Sequence, residues 1–226
     1  MNSNLMKIVF ILDISKSMEK EEILLEDDSF LTFFKISPKT SHEKFLSFLN
    51  YISPGMKISK LACAGILLQT IKELLSERNV MVAVVWFNHI ADNITFSGGK
   101  VFISLSGGKP SIRKTLSLAL IELSKRAFGG SNIYLGILKA KKIVEVYDSY
   151  HFILVSDGLW NCGISPIKFV HDEKISLSSI QVSSSKKPQN LFMEKLAKVG
   201  SGKFLYIQKL NSETLKIIEN WTSHIY

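Results

Sequence analysis

Short, uninterrupted apolar runs, each closed by a polar turn, are the feature that most limits what this chain can become. Residues 8–12 read Ile-Val-Phe-Ile-Leu, residues 81–87 read Met-Val-Ala-Val-Val-Trp-Phe, and residues 152–155 read Phe-Ile-Leu-Val. Apolar runs of this length without alternation mark strands buried on both faces, as in a parallel sheet covered by helices on each side. They are far too short to span a bilayer. Between them the apolar residues recur at helical spacing, as in the stripe of Leu61, Ala64, Leu68, Ile71 and Leu75 within residues 58–75.

The same reading places strands at 6–13, 80–88, 151–156, 174–183 and 203–208. Residues 93–105 hold two strand-like pieces about a turn at Ser97-Gly98-Gly99. Helices are expected at 110–127, with Pro110 in the first turn, and at 133–147, 165–171, 188–199 and from Ser212 onward. Strands alternating with helices predict an α/β fold, a central mostly parallel sheet with right-handed crossovers and helices on both faces. At 226 residues and 46% apolar content the chain fits one domain with a sizeable core. In such sheets ligands gather at the carboxyl ends of strands, where the strand order reverses.

Chemistry-bearing residues fall at those ends. The first strand runs into Asp13-Ile14-Ser15-Lys16-Ser17, a carboxylate and two hydroxyls at alternate positions. Near-extended backbone would turn all three toward one side. A carboxylate with small hydroxyls is a hard oxygen donor set, suited to Mg²⁺ or Mn²⁺ rather than zinc. Three oxygens seldom hold such an ion alone. Further donors follow in Gly129-Gly130-Ser131-Asn132, a glycine turn with a hydroxyl before a helical pattern, and in Ser156-Asp157-Gly158 at the end of the third apolar run. Adjacent strands would bring Asp13 and Asp157 to one sheet edge, with Ser131 above them.

In these elements the sequence resembles the von Willebrand factor A (VWA) family, whose metal-ion-dependent adhesion site (MIDAS) has the order Asp-x-Ser-x-Ser, then Thr, then Asp. Carried over, Asp13, Ser15 and Ser17 are the first element, Ser131 stands for the Thr, and Asp157 is the last Asp. The Ser131 departure keeps the hydroxyl and loses a methyl. Residues 82–88 resemble the family's second strand, and residues 196–204 its late helix-to-strand turn. The resemblance implies a Rossmann-like VWA fold with one antiparallel edge strand. It implies Ser15 and Ser17 as direct metal ligands, Ser131 as a direct or water-mediated one, and Asp13 and Asp157 as anchors of waters and hydroxyls. A metal with few anionic ligands stays electrophilic, so the resemblance implies a protein-interaction module in which Mg²⁺ or Mn²⁺ accepts an Asp or Glu carboxylate from a partner. An AAA+ ATPase of the MoxR or chelatase kind is one partner class it implies.

One departure is long. The family's metal loop leads almost directly into a helix, whereas here residues 19–55 intervene as an insertion within the single domain of residues 1–226. It opens with six acids, Glu19, Glu21, Glu22, Glu26, Asp27 and Asp28, against one lysine. Residues 30–36 are apolar, and Thr40-Ser41-His42-Glu43 has the spacing of a capping box for a helix to about residue 52. An acid of this insertion could take the open metal position in cis, since closing so short a loop costs little entropy.

The formal net charge of +8 becomes +13 outside residues 19–28, where 27 basic residues stand against 14 acidic ones. That balance raises nucleic acid as an alternative ligand. The lysines are scattered, however, with tight groups only at Lys139, Lys141 and Lys142 and at Lys186-Lys187, and no aromatic RNA-binding signature accompanies them. Enzyme signatures fail individually: a haloacid-dehalogenase-type site needs a second Asp where Ser15 stands, and Pro110 after Gly107-Gly108-Lys109 spoils a phosphate loop. The five histidines lack ligand spacing, and His151 reads as structural. The expectation is a binding protein, not an enzyme. Two cysteines, Cys63 and Cys162, are too few for a disulfide framework, and the first residues lack a secretory pattern, so a cytoplasmic setting is expected. Trp160 is expected on the rim of the site, either exposed to a partner or folded against the insertion.

Overall fold

The computed structural model describes residues 5–36, 50–96, 98–105, 122–123, 127–188 and 191–225. The central sheet is built from β1 (Met6–Asp13), β4 (Val80–Phe87), β7 (Tyr150–Ser156), β8 (Leu177–Val182) and β9 (Ser201–Ile207), all parallel, in the order β4-β1-β7-β8-β9. Short strands β5 (Ala91–Asn93) and β6 (Ile103–Ser104) pair antiparallel along β4 and close that edge. The helices are α1 (Ser29–Ile36), α2 (Lys60–Leu75), α3 (Ile133–Val144), α4 (Pro166–Asp172), α5 (Phe192–Val199) and α6 (Ser212–Ser223). This is the expected mixed α/β architecture, a mostly parallel sheet with an antiparallel edge.

Alternation along the strands explains the uninterrupted apolar runs. Ile8, Phe10 and Leu12 of β1 face one core with Val82 and Val84 of β4 and with Leu61, Leu68 and Ile71 of α2. Val9 and Ile11 face a second core with Val85 and Phe87 of β4 and with Ile133, Ile137 and Ala140 of α3. A central strand with a hydrophobic core on each side has no polar face, so its sequence cannot alternate. The direction of strand addition reverses at β1, with β4 on one side and β7 on the other, and the carboxyl ends of β1 and β7 form the crevice at that switch point.

Two expectations shift. The helix expected from residue 58 begins at Lys60, because Lys57–Ser59 is drawn into a strand, β3, and Ser59 Oγ accepts the Ala62 N–H at 3.0 Å as the helix cap. The described part of the insertion, residues 19–36 and 50–55, is also more regular than its sequence suggests. Its acidic start forms β2 (Glu21–Leu25), antiparallel to β3 and parallel to β10 (Lys209–Leu210), which makes a second sheet of three strands. Ile23, Leu25, Phe30 and Phe34 join the core on the α2 face, so the phenylalanine-rich part packs the insertion down. Around the turn expected at 97–99, Phe96 and Lys100 form an antiparallel bridge, and Gly98 and Gly99 have φ 76° and 73°; Ser97 lies outside the described residues. The helices expected at 110–127 and from the capping box at Thr40 fall almost wholly outside the described residues, and Pro110 with them.

Candidate metal centre

The centre forms because three separate loops are tied to one another at the carboxyl ends of β1 and β7. Beyond Asp13 the chain does not stay extended as the alternation argument assumed. The Ser15 N–H turns back onto Asp13 Oδ1 at 2.8 Å, and residues 16–19 form a single 3-10 turn anchored by fully buried Met18. The turn still gathers the donors, with the Ser15 and Ser17 hydroxyl oxygens 3.1 Å apart. The loop is clasped to its neighbour by two backbone bonds, Phe128 N–H to the Ile14 carbonyl at 2.9 Å and Lys16 N–H to the Gly129 carbonyl at 3.0 Å.

Gly129 is required at that clasp. It sits at φ 73°, and a Cβ there would lie 2.2 Å from His89 Nδ1. Ser131 follows, fully buried, its N–H held by Asn161 Oδ1 at 2.8 Å, and Asn132 caps α3 by accepting the Leu135 N–H at 3.3 Å. The glycine turn thus delivers the Ser131 hydroxyl from a helix start, as its sequence context suggested.

Asp13 is the hub. Its side chain is fully buried and accepts three hydrogen bonds: Ser15 N–H on Oδ1, Ser131 Oγ–H on Oδ2 at 2.9 Å, and Ser156 Oγ–H on Oδ2 at 2.7 Å. Burial pushes the Asp13 carboxyl up to about 6, against the downward pull of the Ser15 and Ser156 hydrogen bonds, and the nearby Asp157 charge adds to the rise. Asp157 is also buried. Its Oδ1 accepts the Leu159 N–H at 3.0 Å, and Gln181 Nε2 donates to its backbone carbonyl at 3.1 Å. All five residues expected from the sequence, Asp13, Ser15, Ser17, Ser131 and Asp157, therefore lie on loops that meet in one crevice.

Two side chains were not foreseen. Ser156 supplies the shortest bond to Asp13, and its place directly before Asp157 at a strand end was the one signal for it. Lys60, the first residue of α2, buries its side chain and donates from Nζ to Asp157 Oδ2 at 3.2 Å. Its second carboxylate is Glu22 Oε2 of the insertion, at 3.5 Å. Burial alone would raise the Glu22 carboxyl, but the Ser184 hydrogen bond at 2.9 Å and the Lys60 charge outweigh it and hold it below its ordinary range. Of the other insertion acids, Glu26 pairs with Lys209 and Asn211, and Asp27 receives the Ser212 N–H.

The donor set fits a small divalent cation. Two neighbouring oxygens on an octahedral ion with bonds of about 2.1 Å stand roughly 3 Å apart, and the Ser15 and Ser17 hydroxyls already show such a spacing at 3.1 Å. The doubly buried carboxylates Asp13 and Asp157 also call for positive charge. Lys60 provides one such charge, on Asp157.

The rim is apolar on one side. Trp160 is 37% exposed and stacks on Phe192 of α5, with ring centroids 5.4 Å apart and planes 14° apart. Its ring partner among the described residues is thus Phe192 of α5. Leu159, Ile164 and Leu191 are exposed nearby in sequence or across that stack. Among the described residues, no helix is long and apolar enough to cross a membrane.

No protein-family model matches the sequence, and a search of curated proteins returns no match. Solved structures do match across nearly the whole chain. The conserved hypothetical protein BatB from Bacteroides thetaiotaomicron is similar at a TM-score of 0.61 and 16% identity, over 96% of this chain and 97% of that one. An aerotolerance-related membrane protein from Bacteroides fragilis, carrying multiple mutations to serine, is similar at 0.58 and 14% identity, over 96% and 98%. A von Willebrand factor type A protein from Catenulispora acidiphila is similar at 0.63 and 17% identity, over 97% of this chain and 42% of that one. With strand order, edge strands and helical layers as described, the chain has a VWA-like Rossmann fold.

Proposed function

We propose that the chain is a metal-dependent protein-interaction module that takes an Asp or Glu side chain of a partner at the crevice formed by Asp13, Ser15, Ser17, Ser131 and Asp157. The observation that carries this reading is the convergence on fully buried Asp13 of Ser131 and Ser156 from two other loops, beside the paired hydroxyls of Ser15 and Ser17. Ser15 and Ser17 would be direct ligands of Mg²⁺ or Mn²⁺, Ser131 a direct or water-mediated one, and Asp13 and Asp157 would orient them. When bound, the ion supplies a Lewis-acidic position for a carboxylate.

The residues themselves argue for binding rather than catalysis. The Asp13 oxygens are engaged with Ser15, Ser131 and Ser156, and Asp157 is engaged with Leu159 and Lys60, so these carboxylates serve to hold groups in place. Exposed Trp160 and Leu159 offer a partner apolar contact beside the polar centre. An AAA+ ATPase is one partner class for this module, and a cytoplasmic setting belongs to the same reading. The test is thermal melting of wild type and Asp157→Ala with EDTA, Mg²⁺, Mn²⁺ and Ca²⁺. The reading requires a metal-dependent rise in wild type that the variant lacks; no rise at millimolar metal would remove it.

A further inference from the structure

Lys60 is an unusual neighbour for such a crevice. Its side chain is 6% exposed and that of Asp157 1%, so the 3.2 Å contact is a buried ion pair rather than a surface one. Burying an ammonium group is costly unless it is paired, and here it has two carboxylates to choose from. Asp157 belongs to the end of β7, and Glu22, 3.5 Å away, belongs to insertion strand β2. Glu22 is itself fixed from a third direction by the Ser184 hydroxyl at 2.9 Å. Lys60 Nζ therefore stands between the metal centre and the insertion, within reach of an acid on each side.

We propose that Lys60 is a tethered cation that competes with the divalent ion for Asp157, and that ion binding shifts its ammonium group onto Glu22, coupling the centre to the insertion. The proposal rests on the metal-site reading above. Charge balance supports it. Among the groups in contact at Lys60 and Asp13, a divalent ion and Lys60 would carry three positive charges against three negative ones on Asp13, Asp157 and Glu22, with the exposed Lys20 acting on Glu22 from outside that set. Without Glu22, the ion and the ammonium would be left with two carboxylates between them in a region from which water is largely excluded. The backbone helps the handover: the Lys60 N–H is bonded to the Lys20 carbonyl at 3.1 Å, so the start of α2 is already fixed to the segment that carries Glu22. A long, four-carbon side chain on a fixed Cα can redirect its end group without moving the helix. The insertion would then sense the ion through a change of partner at Glu22, and a protein that binds β2 would bind differently to the loaded and unloaded chain.

The experiment is calorimetric titration of the full chain with Mn²⁺ and Mg²⁺ alone, for wild type, Lys60→Met, Glu22→Gln and the double variant. Removing a positive charge held 3.2 Å from an Asp157 oxygen is expected to tighten binding in Lys60→Met by about tenfold or more. Glu22→Gln deprives Lys60 of its second partner, so binding is expected to weaken roughly two- to fivefold, the scale of a partly exposed pair. In the Lys60→Met background the Glu22 change is expected to have no effect, which a general loss of negative charge would not reproduce. Ion binding by wild type with no tightening in folded Lys60→Met overturns the inference and leaves the metal centre standing. Binding in Lys60→Met alone, with none in wild type, supports it. Absence of binding in all four removes the metal reading, and the inference with it. If Lys60→Met does not fold, Lys60→Gln takes its place in the same four-variant cycle, and wild-type affinity in Glu22→Gln overturns the coupling in either case.

Discussion

Ser156 donates its hydroxyl to Asp13 Oδ2 at 2.7 Å across 143 residues of sequence, joining the ends of the two central strands through one buried bond. The Ser156 hydroxyl oxygen in turn accepts the Gly158 N–H at 3.1 Å, so one hydroxyl sets both the Asp13 carboxylate and the turn that carries Asp157. Ser156→Ala leaves a buried carboxylate short of one donor and takes one acceptor from the Gly158 N–H. The expected cost is about 1–3 kcal/mol in urea unfolding, more than an average serine removal. An unchanged urea midpoint would show that the Ser131 and Ser15 bonds suffice to hold Asp13.

His151 is held between the Ser176 and Ser178 hydroxyls, at 2.7 and 2.9 Å, and burial pushes its imidazole down to about 4. The unfolded chain then binds more protons than the folded one between about 4 and 6.5, so the His151 contribution to stability falls as pH is lowered through that window and levels off below it. Asp13 acts in the opposite sense, because its folded value of about 6 lies above the unfolded 3.8 and favours the folded state as pH falls. The two effects overlap, which makes wild type alone a poor probe. The difference between wild type and His151→Asn in urea unfolding at pH 7 and pH 5 is expected to shrink or change sign as pH falls. The scale is about 1.4 kcal/mol per pH unit inside the window.

Gly129→Ala and Gly98→Ala make a controlled pair. Both glycines have positive φ, 73° and 76°, but an added Cβ meets His89 Nδ1 at 2.2 Å in the first case and nothing within 4 Å in the second. Each change pays about 1 kcal/mol for the backbone conformation. The Gly129 change is expected to cost at least about 1 kcal/mol more, because the clash loosens the clasp between the Ser15 loop and the Ser131 loop. Thermal melting of the two variants side by side reads the difference directly.

Asn211 ties the insertion to the last helix. Its Oδ1 caps α6 by accepting the Thr214 N–H at 2.9 Å, and its Nδ2 donates to Glu26 Oε2 at 2.6 Å. Asn211→Ala is expected to lose about 1–2 kcal/mol, the usual scale of a helix cap. Asn211→Asp keeps the cap acceptor but sets a carboxylate against Glu26. If the cap were all that matters, the Asp variant would match wild type; the structure requires it to fall between wild type and Ala.

Much of the fold is legible in the chain because burial on two faces leaves a mark that no other environment does. The runs in β1, β4 and β7 have that mark, and the stripe from Leu61 to Leu75 locates α2 to within two residues of its start. The site is legible wherever its residues sit at a strand end or a glycine turn, as Asp13, Ser131 and Asp157 do. The second sheet is not, since β2 reads Glu-Glu-Ile-Leu-Leu and β10 has only two residues; neither has enough pattern to declare a strand without its partner. Lys60 escapes for a related reason. It lies 97 residues from Asp157, and a lysine opening a helix ordinarily points to solvent.

The parallel pairing of β2 with β10 has a kinetic consequence. The residues that complete the second sheet and cap α6 emerge about 185 positions after Glu26, so a chain made from its amino end presents the β10 edge of β2 long before that neighbour exists. Contacts of such long range are slow to close. The insertion can thus pair with β3 and pack on α2 early, but its second sheet is completed only once Lys209 and Leu210 have been made, and that edge is the part released when the segment from Lys209 onward frays.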